Sequence, residues 1–133
     1  MGAAFAAEPS SPNSFTINGR VINLTNDELS QLRKSWGGNL SLQTVLPLQE
    51  AQWVLDFIAI MEGGPPEPCT QLELVSTKPL KGKQDRVDGK VIRAGRFDEL
   101  WSITSCGKGK RYRVLNRQGT PDLHVYEVRN PKF

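Results

Sequence analysis

The sequence predicts an α+β domain in which an N-terminal hairpin and two helices pack on an antiparallel meander sheet, closed by one disulfide. Three observations predict it. Before residue 65 two segments repeat their apolar residues at helical spacing, whereas after residue 69 the apolar residues alternate with a period of two. Helices gathered ahead of a run of strands point to helices covering one face of an antiparallel sheet. Two cysteines, Cys69 and Cys106, bracket the start of that run and one of its turns.

Each element has its own local signal. Residues 1–14 read as a disordered lead, and residues 15–133 as a single domain. FTINGRVIN places strand formers on both sides of Asn18-Gly19, and Asn-Gly is a strong hairpin signal because both central residues of the turn need positive φ. TNDELSQLRKSWGG reads as a short helix with Leu29, Leu32 and Trp36 on its apolar face. Thr25 and Glu28 form a capping box, Arg33 and Lys34 fall in the last turn, and Gly37-Gly38 ends it. PLQEAQWVLDFIAIMEGG predicts a second helix with Pro47 at its first position. Leu48, Ala51, Leu55, Ile58 and Met61 share a face, with Trp53, Phe57 and Ile60 beside it; Gln49, Gln52 and Asp56 form a polar edge. A helix so widely apolar is expected at the centre of the fold.

After PPEPC, five segments read as strands: TQLELVST, GKVIRAG, ELWSITS, KRYRVLNR and LHVYEVR. The polar LKGKQDRVDG between the first two reads as a mobile loop. Within the fourth, Tyr112 and Val114 fall on one face and Arg111 and Arg113 on the other, the pattern of a sheet with one wet side.

Composition narrows the class. Hydrophobic residues make up 38% and charged residues 23%, which excludes a disordered chain. The longest apolar run, WVLDFIAIM, is far short of the ~20 residues a transmembrane helix needs, so no transmembrane segment is expected. The net charge of +3 is unevenly distributed: residues 1–77 carry −5 and residues 78–133 carry +8. The second half is therefore a candidate for an anionic partner, against the plainer reading of a solvated face.

Two cysteines without metal-type spacing fit one disulfide, Cys69 to Cys106, in an oxidising compartment. The closed loop of 37 residues is worth about 3–4 kcal/mol in the chain-entropy picture. Ala4-Phe5-Ala6 ahead of Glu8-Pro9 resembles the end of a secretory signal peptide, against the plainer reading of an alanine-rich flexible tail. With the cysteine pair it is read as a signal-peptide remnant, and the expected location is periplasmic or secreted. Ala6 stands where the myristoylation pattern wants Ser or Thr. Asn23-Leu24-Thr25 and Asn39-Leu40-Ser41 match the glycosylation acceptor pattern, which has meaning only in a eukaryotic secretory route.

Catalytic sets are poorly represented. The single histidine, His124, shares a strand face with Asp122, but no glycine-flanked serine elbow accompanies them. Zinc would need His124, both cysteines and a carboxylate without close spacing. Asp98 and Glu99 point to opposite strand faces and make a poor acid pair. CGKGKR lacks the Ser or Thr and the following helix of a phosphate loop, and reads as a hairpin turn. No catalytic residue, metal or cofactor is expected. Lys108, Lys110, Arg111 and Arg113 are the candidate binding residues for an anionic partner, together with the 81–96 loop. Nucleic acid is disfavoured, because Tyr112 alternates away from the arginines and exported proteins seldom meet it.

The run RFDELWSITSCGKGKRYRV, residues 96–114, resembles a hairpin of small exported proteins of Gram-negative bacteria. In these a strand ending Trp-x-hydrophobic-x-x-Cys-Gly turns into a strand with an aromatic residue and Val, here Trp101, Ile103, Cys106, Gly107, Tyr112 and Val114. The resemblance implies a periplasmic or envelope-associated domain and brings no activity. Many such proteins begin as lipoproteins, whereas this sequence shows no lipid-bearing cysteine. The expectation is a non-enzymatic binding protein, an accessory or structural subunit of a cell-envelope assembly such as a secretion or surface-appendage complex. Its partners would be envelope proteins. The alternative is a domain that binds polyanions, lipids, glycans or nucleic acid through its basic half.

Overall fold

The computed structural model describes residues 13–37, 43–80, 86–87, 90–91, 97–116 and 122–129. Residues 1–12 of the expected lead, the second acceptor at Asn39 and most of the 81–96 loop lie outside the described residues.

The chain folds as α+β. A hairpin of β1 (Ser14–Ile17) and β2 (Arg20–Asn23) is followed by α1 (Asn26–Lys34) and α2 (Leu48–Glu62). Then come β3 (Leu72–Pro79), the short β4 (Arg86–Val87) and β5 (Lys90–Val91), and the long β6 (Asp98–Ser105), β7 (Lys108–Asn116) and β8 (Leu123–Val128). Six strands form one sheet in the order β2-β1-β8-β7-β6-β3. The run β3-β6-β7-β8 is the expected antiparallel set, while β1 joins β8 in parallel, so the sheet is mixed. Of GKVIRAG only Lys90 and Val91 are described, and they are not part of it. Lys90 and Val91 pair instead with Arg86 and Val87 in a separate two-stranded ribbon, and β3 pairs directly with β6. Alternation marks a segment as strand-like without naming its neighbour.

The hairpin turn has Asn18 at φ 57° and Gly19 at φ 74°, as Asn-Gly predicts. Asn18 also makes the joint to β8. Its backbone N–H donates to the Leu123 carbonyl at 2.9 Å. Its side-chain Nδ2 donates to the Val125 carbonyl and its Oδ1 accepts from the Val125 N–H, both at 2.9 Å. One side-chain amide thus replaces a peptide group in the ladder, and extends a parallel pairing that otherwise registers only Ile17 against Leu123.

The capping box of α1 is present: Thr25 Oγ1 accepts from the Glu28 N–H, and Glu28 Oε1 accepts from the Thr25 N–H. No residue of α1 is fully buried. Its expected apolar residue Trp36 lies past the helix end and is buried where residues 35–37 pair with Leu72 at the edge of β3.

Helix α2 is central. Ala51, Val54, Leu55 and Ile58 pack into one core with Ile17, Trp101, Ile103, Tyr112, Val114 and Val125 of the sheet. Each large side chain so buried contributes about 1.5–3 kcal/mol. The expected apolar face holds in its middle, but its ends do not: Leu48 and Met61 are exposed. Pro47 sits at the N-cap, one place before the first helical residue. Asp56, expected on a polar edge, is buried at 1% exposure, because α1 lies over it and supplies Arg33.

Candidate functional site

The candidate residues sit on the β6–β7 hairpin, whose tip is Cys106-Gly107. Both tip residues have positive φ, 50° and 84°, the geometry that matches the right-handed twist of the flanking strands. Cysteine gains nothing from that conformation, since an L side chain there costs roughly 1–2 kcal/mol. It holds the position for its bond: Cys69 and Cys106 form a disulfide with Cα atoms 5.9 Å apart. The Cys106 N–H donates to the Gln71 carbonyl, and the Cys69 N–H to the Glu62 carbonyl. The hairpin tip is thereby tied to the exit of α2.

The strand period divides the four basic candidates. Lys108 and Lys110 share the helix-facing side with Tyr112 and Val114, while Arg111 and Arg113 lie on the opposite face. Lys108 is exposed and stands 3.7 Å from the exposed Glu67, a pair of little energetic weight. Lys110 is committed: its Nζ donates to Glu62 Oε1 at 2.9 Å. Arg113 grips Asp98 with two guanidinium nitrogens, Nε at 2.9 Å from Oδ1, and donates through Nη1 to the Tyr126 hydroxyl. Arg111 stands opposite Ser102 and Val128. The structure therefore does not bring the four cations into one cluster. The two on each face are neighbours, and one of each pair is engaged by a buried acid.

Among the described residues four buried acids, Asp56, Glu62, Asp98 and Glu99, join the elements. Glu62, the last residue of α2, opposes the negative end of the helix dipole, and the sheet compensates it. It accepts from Ser105 Oγ at 2.7 Å, from Lys110 Nζ and from the Tyr112 hydroxyl. Burial pushes its pKa up, but the bonds from Tyr112, Lys110 and Ser105 together hold the carboxyl below its ordinary value. The hydrogen bond to Glu62 raises Lys110, and burial with the same bond raises Tyr112, which stays a phenol. Asp98 holds Arg113, raised by that hydrogen bond, in its charged form. Asp56 is pushed up by burial, only partly offset by Arg33 and by Gln52 Nε2 at 3.1 Å. Among the described residues no cation pairs with Glu99, which accepts from Thr44 Oγ1, Trp101 Nε1 and the Val45 N–H.

None of these acids was singled out as a site by its neighbours in sequence. For Glu62 a signal existed: an acid in the last turn of a helix is electrostatically misplaced unless a cation meets it. Asp98 and Glu99 do point to opposite faces, as alternation predicts, and each has its own partners. His124 Nε2 lies 3.9 Å from Asp122 Oδ2. Among the described residues no group of three or more His, Cys, Asp or Glu side chains could hold a metal ion, and no helix is long and apolar enough to cross a membrane.

Two grooves flank Thr70, beside the disulfide. One, of about 630 Å³, runs between α1 and the end of α2 over Leu24, Leu32, Ala59 and Ile60. The other, of about 360 Å³, reaches Cys106, Gly107 and Thr104. Neither is lined by any of the four buried acids. In comparisons with protein families, with curated proteins and with solved structures, the chain matches none.

Proposed function

We propose that the chain is a non-enzymatic binding domain of an oxidising compartment, periplasmic or secreted, serving as an accessory or structural subunit of a cell-envelope assembly. The observation that carries the proposal is how the interior chemistry is spent. Asp56 ties α2 to α1, Glu62 ties α2 to β6 and β7, Asp98 ties β6 to β7, and Glu99 ties the segment before α2 to the sheet. Acids engaged in joining elements, away from both grooves, suit a scaffold that works through its surfaces. The disulfide supports the compartment. Both helices lie on one side of the sheet, and the other side carries Arg111, Arg113, His124 and the exposed Tyr126, a mixture common at docking faces.

The test is a cross-linked pull-down of the tagged chain from gently solubilised cell envelope, read by mass spectrometry. A discrete set of envelope proteins in fixed ratio supports a subunit role. Monomer alone, with no stable neighbour, removes it. Capture that vanishes steeply as salt rises, with anionic glycan or lipid in place of protein, supports the polyanion-binding alternative.

A further inference from the structure

Glu99 stands apart from the other buried acids. Its side chain is 1% exposed, and its partners are all neutral: Thr44 Oγ1 at 2.7 Å, Trp101 Nε1 at 2.9 Å and the Val45 N–H at 3.4 Å. Across the sheet it faces Pro79 of β3 and Val114 of β7, and no charged side chain of α2, β3, β7 or the 43–46 segment acts on it. Its strand neighbour Asp98 lies on the other face, occupied with Arg113. Two of its three donors belong to the segment that leads into α2. Leu46 of that segment is buried, and Thr44 Oγ1 in turn accepts from the Leu46 N–H.

We propose that Glu99 is a proton-controlled fastener for residues 43–46: the segment seats on the sheet with the carboxyl protonated, and lifts more often as the carboxylate forms. A carboxyl protonated on Oε2 keeps the Thr44 and Trp101 bonds to Oε1, weakens only the long Val45 contact, and avoids the cost of an unpaired buried charge. An ionised one regains water only if Thr44, Val45 and Leu46 move away. Burial raises Glu99 above the ordinary glutamate value despite its three donors, which is the direction this linkage requires. The folded, seated state binds the proton more tightly, so seating is favoured as pH falls and weakened as pH rises through the raised value. The surface before α2 is then tighter at low pH and loosens as pH rises.

Native-state amide hydrogen exchange of the full chain between pH 4.5 and 8 tests this, corrected for the intrinsic pH dependence of exchange. The expected result is an opening constant for Leu46 that rises up to about tenfold per pH unit within the window set by Glu99, with Val114 in the sheet unchanged as the control. Glu99→Gln should flatten the pH dependence at Leu46. Direct ¹³C titration of the Glu99 carboxyl needs no variant and should give a midpoint above that of ordinary glutamates. A midpoint in the ordinary range, or a Leu46 opening constant that does not rise with pH, overturns the proposal. So does a rise that persists in a folded Glu99→Gln protein.

Discussion

Removing the disulfide should cost this domain a large share of its stability, and part of the loss should be recoverable by glycine at one position. The bridge closes 37 residues, for which the chain-entropy relation gives about 4 kcal/mol. A chain of 133 residues unfolds with an entropy of roughly 0.28 kcal/mol/K, so Cys69→Ala/Cys106→Ala should lower Tm by about 14 °C. Alanine at 106 keeps the strain of φ 50° without the bond that justified it. Glycine relieves roughly 1–2 kcal/mol of that strain and gives back about 0.5–1 kcal/mol through a freer unfolded chain. Cys69→Ala/Cys106→Gly should therefore melt about 2–4 °C above the double-alanine protein. Calorimetry under non-reducing conditions, with reversibility checked by rescanning, measures both differences. A double-alanine Tm within about 4 °C of the parent would refute the constraint argument. A glycine variant less stable than alanine would refute the strain argument.

Other consequences are as direct. Glu62→Ala should cost about 3–5 kcal/mol, because Lys110, Ser105 and Tyr112 lose their shared acceptor; urea unfolding at pH 7 measures it. Since the Glu62 carboxyl is held below its ordinary value, its contribution is present above the unfolded glutamate pKa and is lost as pH falls through the folded one. The gap between parent and Glu62→Gln should thus shrink from about pH 5 downward in urea titrations. Asp56 has the opposite sign: its raised pKa makes the ionised form a net burden as pH rises. Asp56→Asn should accordingly be tolerated better than Arg33→Ala, which strands the acid, as paired melting curves at pH 7 would show. Asn18→Ala should cost about 2–3 kcal/mol from two hydrogen bonds and a left-handed backbone, and should raise amide exchange first in β1 and β2.

Local chemistry was legible wherever the cause is local. The Asn18-Gly19 turn, the Thr25–Glu28 box and the two faces of β7 follow from neighbouring residues alone. Among distant pairings the disulfide was legible, because two cysteines allow a single pairing, whereas the distant partners of polar side chains were not. Asp56 reads as a solvated edge until α1 folds across it with Arg33. Alternation already sets Arg111 and Arg113 apart from Tyr112, but nothing near Lys110 in the sequence shows that Glu62 draws it inward. The parallel joint between β1 and β8 had no visible signal, because Asn18 was already accounted for by its turn and its side-chain amide is a second use of the same residue.

That joint also sets an order of events. Asn18 and Val125 are 107 residues apart, so a chain emerging amino end first offers its hairpin long before the seat for it exists. Phe15 stacks on Trp53 of α2, a contact open to it early, whereas the edge of β1 that meets β8 stays unpaired until β8 has been made. The hairpin can form early from its own turn, but its pairing with the sheet has to wait for β8. Trimming is correspondingly lopsided. Loss of the first strands removes two from one end of the sheet, whereas loss of residues 122–129 takes β8 and leaves β1 and β2 no strand to pair with in the rest of the sheet, half of its six strands affected by one.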